Sequence, residues 1–75
     1  MPYIAIKSYP KDEEIKKRVI EGINKVLLEE MGCSQEAICI SMEEVKPEEW
    51  VEKVRTPEIE PNKDKMKILY GKKMY

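Results

Sequence analysis

The stretch from Asp12 to Gly32 constrains this chain more than any other. Ile15, Val19, Ile23 and Leu27 recur every four residues, with Val26 and Met31 beside them. That period predicts an amphipathic helix of about five turns. Asp12 stands where an N-cap belongs, Glu13 and Glu14 favour the positive end of the helix dipole, and Gly32 is a suitable stop. Gly22 lies inside the helix and costs about 1 kcal/mol against alanine.

Strand patterns flank the helix. Tyr3-Ile4-Ala5-Ile6-Lys7-Ser8-Tyr9 is rich in β-branched and aromatic residues, ends at Pro10, and is apolar on both faces, as a buried parallel strand would be. Ala37-Ile38-Cys39-Ile40-Ser41-Met42 alternates and predicts a second strand running to about Val45. Ile38, Ile40 and Met42 share one side; Ala37, Cys39 and Ser41 share the other. Strand, long helix and strand make one βαβ unit with parallel strands and a right-handed crossover. Pro47-Glu48-Glu49-Trp50 reads as a short helix with proline in its first turn, and Trp50, Val51 and Val54 form its apolar side. Thr56 to Asp64, with Pro57 and Pro61, reads as loop, and Met66 to Tyr70 as a late strand or a helical turn.

With 75 residues, the chain is expected to form a single domain over 1–75 with a modest core. Cys33 and Cys39 are too few for a disulfide framework, their spacing is no metal motif, and there is no histidine. Oligomerisation is the remaining source of support. A two-stranded sheet covered on one face by a helix leaves its other face open, so sheets of different subunits are expected to pack together. Basic and acidic residues nearly cancel, 14 against 15, which argues against general nucleic-acid binding. No apolar run is long enough to span a membrane, and the start lacks the pattern of a signal peptide. The expectation is a soluble cytoplasmic protein with reduced thiols.

Pro2 precedes the first strand, where a proline without an N–H is tolerated and needs no functional reason. An N-terminal proline, a short strand, the Lys11-Asp12-Glu13-Glu14 helix start, a second strand and an aromatic at Trp50 together resemble the 4-oxalocrotonate tautomerase family. The resemblance covers roughly residues 2 to 54. Pro47-Glu48-Glu49-Trp50 and the long tail are similar to the small dimeric branch, so a homodimer is favoured over a hexamer. It implies an α/β fold of one βαβ unit with a short helix and a C-terminal tail, completed by oligomerisation. It also implies a keto–enol isomerase acting on small 2-hydroxy-dienoate or enolpyruvate-type acids, without a cofactor or metal.

The resemblance further implies that Met1 is removed and that Pro2 becomes the catalytic base. The amine is secondary, its ring fixes the lone pair, and an ordinary α-amino group titrates near about 7.7–8.0. Apolar surroundings and nearby cations lower that value towards working pH, where general base catalysis is efficient. With Met1 attached, the nitrogen is an amide and cannot act so. Trp50 falls where the family has an aromatic wall beside the proline; an ordinary core or interface tryptophan is an equal account, compatible with the first. Lys11 falls where similar members carry an arginine for the substrate carboxylate, although a solvated lysine at a helix start is the slightly stronger account. Lys7, inside the first strand, and Arg55, after the Trp50 helix, are the other candidate cations.

Two features depart from the family. Cys39 stands where well-studied members have an arginine, and is read as a small buried hydrophobe. Val51-Glu52-Lys53-Val54 replaces a glycine-rich hairpin. Two rival readings stay open: a non-catalytic oligomer of the same fold, which would retain Met1, and a hydratase or dehalogenase in which Glu43 or Glu44 activates water.

Overall fold

A computed structural model describes residues 1–75. It divides into two compact units, Met1–Glu44 and Val45–Tyr75.

The first unit is the predicted βαβ arrangement. Strand β1 spans Tyr3–Ser8, helix α1 Glu13–Met31, and strand β2 Cys39–Glu44. The two strands are parallel, with Tyr3 opposite Cys39 and Ser8 opposite Glu44. Both helix ends follow local chemistry. Asp12 is extended and its Oδ1 accepts the Ile15 N–H at 3.0 Å, while Gly32 closes the helix at φ 65°. A short 3₁₀ turn, Gln35–Ala37, leads into β2, so that strand starts two residues later than its alternation suggested. Asn24 and Gln35 exchange two amide hydrogen bonds, 3.0 and 2.8 Å, and tie α1 to that turn.

The helix turns a different stripe inward from the one read first. Leu27 is buried, and Ile20, Ile23 and Leu28 are half-buried, but Ile15, Val19, Val26 and Met31 are exposed. The four-residue spacing drifts around a 3.6-residue helix, so residues at its two ends cannot share one narrow face. A second correction concerns β1. Ile4, Ile6, Ile40 and Met42 are half-buried, whereas Tyr3, Ala5, Cys39 and Ser41 are exposed, with Tyr3 at 72 %. Thus β1 is covered on one face only. Cys39 is exposed rather than buried because alternation sets it beside Tyr3 on the uncovered side.

In the second unit Val45 and Val54 are buried. A 3₁₀ turn, Pro47–Glu49, leads through Trp50 into a wide helix, Val51–Ile59, followed by 3₁₀ turns over Glu60–Lys65. The segment expected to be loop is therefore helical. Pro57 has no N–H and crowds the carbonyl four residues back, which disfavours ordinary α-helix. The chain answers by widening: the Glu60 N–H reaches back five residues to the Arg55 carbonyl. Pro61 lies in a first turn, where its missing donor is not needed. The late strand resolves as a small hairpin, β3 (Ile68–Leu69) with β4 (Lys72–Lys73). Its two-residue loop has positive φ at both positions, Tyr70 at 47° and Gly71 at 83°, as tight hairpins require. No helix is long and apolar enough to cross a membrane.

Candidate active site

Pro2 stands directly before β1 and is half-buried. Its carbonyl accepts the Cys39 N–H at 3.1 Å, which extends the parallel ladder by one bond and fixes the residue at the Cys39 end of the sheet. Met1 projects outward, 95 % exposed.

The other end of the sheet carries the candidate lysines. Lys7 is half-buried in β1 and lies opposite Glu43. Lys11 lies in the loop between β1 and α1. Its backbone N–H donates to Glu44 Oε2 at 3.0 Å, and its ammonium makes no ion pair. Lys16, on the first turns of α1, reaches both Glu13 Oε1 at 3.0 Å and Glu44 Oε2 at 3.2 Å. Its side chain is only 17 % exposed. The Lys11 N–H, then the Lys16 ammonium, hold the Glu44 carboxyl below its ordinary range. Hydrogen bonds to Glu13 and then Glu44 raise Lys16 in turn.

Pro2 and Lys11 are thus anchored to opposite ends of a six-residue strand. Cys39 and Glu44 stand about 17 Å apart at roughly 3.3 Å per residue. Two open grooves, of about 580 and 320 Å³, run along α1. Ile20 and Glu21 line both, and neither is lined by Pro2.

Trp50 and Arg55 belong to the second unit. Trp50 is half-buried at the junction between the 3₁₀ turn and the wide helix. Arg55 is engaged: its Cζ lies 5.2 Å from the centre of the Tyr70 ring, a cation–π distance. The Tyr70 hydroxyl donates to Glu60 Oε2 at 3.1 Å, and Glu60 pairs with Lys63 at 2.8 Å. Lys63 first, then Tyr70 and the charge of Arg55, hold Glu60 below its ordinary range. This cluster clasps the hairpin to the helical segment through the Tyr70 side chain. No local pattern marked Tyr70, because its partners are 10 and 15 residues away. Glu44 was named for another role, and only the strand register brings it to Lys11.

A two-stranded parallel sheet under one helix, opened by a proline, defines the class of protein. A family model described as "Tautomerase enzyme" matches residues 2–56. The chain belongs to the tautomerase family and is a tautomerase-type isomerase. It is similar to Tautomerase PptA of Pectobacterium atrosepticum, 36 % identical over 66 residues, covering 85 % of this chain and 87 % of the relative. Tautomerase PptA of Pectobacterium carotovorum subsp. carotovorum is 33 % identical over the same shares. Tautomerase PptA of Cronobacter sakazakii is 25 % identical over 76 residues, 99 % of this chain and 100 % of the relative.

Proposed function

We propose that the mature protein interconverts the enol and keto forms of a small 2-hydroxy-dienoate or enolpyruvate-type acid, with the Pro2 amine as general base. The observation that carries this reading is that the family match begins at Pro2, a residue whose carbonyl is held by the Cys39 N–H while its other side bears only the exposed Met1. Removal of Met1 converts the Pro2 nitrogen from an amide to a secondary amine. That amine takes the proton from the 2-hydroxyl. The O–H electrons close the carbonyl, and the electrons of the carbon–carbon double bond take up a proton at C3. A cation holds the carboxylate and stabilises the negative charge that builds on the enolate oxygen. Trp50 is the residue that the resemblance offers as an apolar wall to exclude water.

Lys11 is the preferred cation, with Lys7 second. The Arg55 guanidinium already stacks on Tyr70, which weakens its claim. The separation of Pro2 from Lys11 along the sheet exceeds the length of a small acid. The site is therefore built between copies, Pro2 of one meeting the lysine loop of another in a homodimer. The uncovered face of Tyr3, Ala5, Cys39 and Ser41 supports such assembly. The hydratase or dehalogenase alternative draws less support. A carboxylate that activates water works best near neutrality, and Glu44 is held in the opposite direction.

The test is ketonisation of phenylenolpyruvate by protein lacking Met1, by Pro2→Ala, and by protein that retains Met1. The protein lacking Met1 is expected to exceed the other two by about 10²–10⁴ in kcat/KM, the usual share of a general base. Equal rates would remove Pro2 from the chemistry, and no activity in any form would favour the non-catalytic oligomer.

A further inference from the structure

We propose that Glu44 is a positioning residue, which anchors the loop carrying Lys11 so that the lysine ammonium is presented to the substrate carboxylate. The proposal rests on the reading of Lys11 given above. A single carboxylate oxygen does two things here. Glu44 Oε2 accepts the Lys11 backbone N–H at 3.0 Å, and it lies 3.2 Å from Lys16 Nζ. An exposed ion pair alone is worth little. The backbone bond is different, because it joins the end of β2 to a loop 33 residues earlier in the chain. That loop is fixed on its far side as well. Asp12 Oδ1 accepts the Ile15 N–H at 3.0 Å, and the Asp12 carbonyl accepts the Lys16 N–H at 3.1 Å. Pro10 restricts the backbone just before Lys11. The backbone of Lys11 is thus tied down while its ammonium is left without an ion pair. A held backbone with an uncommitted cation at its tip is what preorganised recognition of a carboxylate needs.

Lys16 has a separate part in the arrangement. A bare Glu44 carboxylate beside the loop would attract the Lys11 ammonium and compete with substrate. Lys16 satisfies that charge, and Glu13 in turn lies 3.0 Å from Lys16. Glu44 therefore holds the backbone of Lys11 without capturing its side chain.

Four single variants of the mature, assembled enzyme and one double variant test this, with phenylenolpyruvate as the probe. Glu44→Ala is expected to raise KM about five- to tenfold, the size of one lost anchoring hydrogen bond, with kcat within about twofold. Glu44→Gln keeps an acceptor oxygen and should stay within about twofold of wild type in KM. Lys16→Met leaves Glu44 uncompensated and should raise KM by releasing that carboxylate towards the Lys11 ammonium. Lys11→Ala should raise KM, and adding Glu44→Ala to it should do no further harm, because coupled residues are not additive. Amide exchange at Lys11 gives a readout independent of activity: faster in Glu44→Ala, and unchanged in Glu44→Gln. Melting curves exclude general unfolding of either variant. If Lys11→Ala raises KM and Glu44→Ala does not, the role of Glu44 is overturned and that of Lys11 stands. If Lys11→Ala leaves KM unchanged, the reading of Lys11 itself fails. Unchanged exchange of the Lys11 amide in Glu44→Ala overturns the anchoring outright.

Discussion

Tyr3→Ala is the most informative single perturbation of the uncovered sheet face. Tyr3 is 72 % exposed, and its neighbours on that face, Ala5, Cys39 and Ser41, are small. An aromatic side chain carries about 150–250 Å² of surface, so covering what Tyr3 leaves open removes about 110–180 Å² from water. At about 25 cal/mol per Å² that is about 3–4 kcal/mol per copy, reduced to about 2–3 by the cost of desolvating the hydroxyl. A two-fold interface counts the residue twice, which gives about 4–6 kcal/mol per dimer. The dissociation constant should rise by about three to four orders of magnitude. The fold of one copy should survive, because Tyr3 contributes little to the packing under α1. Sedimentation velocity over a concentration series reads the effect directly. Wild type is expected to sediment as an oligomer at micromolar concentration, with a melting temperature that rises with concentration, whereas Tyr3→Ala sediments as a monomer with a flat dependence. A Tyr3→Ala protein that sediments like wild type at every dilution would refute assembly through this face.

Leu27→Ala should destabilise the chain by about 2–3 kcal/mol in urea denaturation, towards the low end for a core leucine because the site is 9 % exposed and can collapse. Gly32→Ala should cost about 1 kcal/mol, all of it conformational, since φ is +65° and an added Cβ would meet nothing within 4 Å. The Glu44 carboxyl is held below its ordinary value of 4.5 in the folded chain. Its contribution to stability is therefore complete above that value and is lost as pH falls through the lowered one. The difference in urea midpoint between wild type and Glu44→Gln should accordingly stay constant above 4.5 and narrow as pH falls below it; a gap that does not narrow would count against the charged contact with Lys16.

The βαβ unit was legible because its signals are local. Asp12 and Gly32 mark helix ends by their own backbone and side-chain chemistry, and alternation marks a strand without knowledge of its partner. Errors arose where a residue answers to something distant. Pro57 and Pro61 looked like loop punctuation, yet one is absorbed by a widened helix and the other opens a turn. Cys39 looked like a core residue until pairing with Tyr3 fixed its face. Site residues divide in the same way. Pro2 and Lys11 are candidates through the family resemblance, which sets one before the first strand and the other before the helix, and their roles are proposals. Neither the bond from Lys11 to Glu44 nor the stacking of Arg55 on Tyr70 has any trace in local spacing.

Strand β1 gathers several demands into six residues. Its inner face, Ile4 and Ile6, packs beneath α1. Its outer face, Tyr3 and Ala5, is available to another copy. Its first bond to β2 belongs to Pro2, whose nitrogen is the proposed base once Met1 is gone. A loss of activity from a substitution in β1 therefore does not by itself identify a chemical role, since in the proposed assembly a failed association would also separate Pro2 from the lysine loop. Retention of Met1 escapes this confusion. It leaves the strand, both faces and the Cys39 bond in place and changes only the nitrogen, so a loss of rate without a change in sedimentation isolates the amine. Glu44→Gln is the matching probe at the other end of the sheet, because it alters one charge and spares the acceptor that holds the loop.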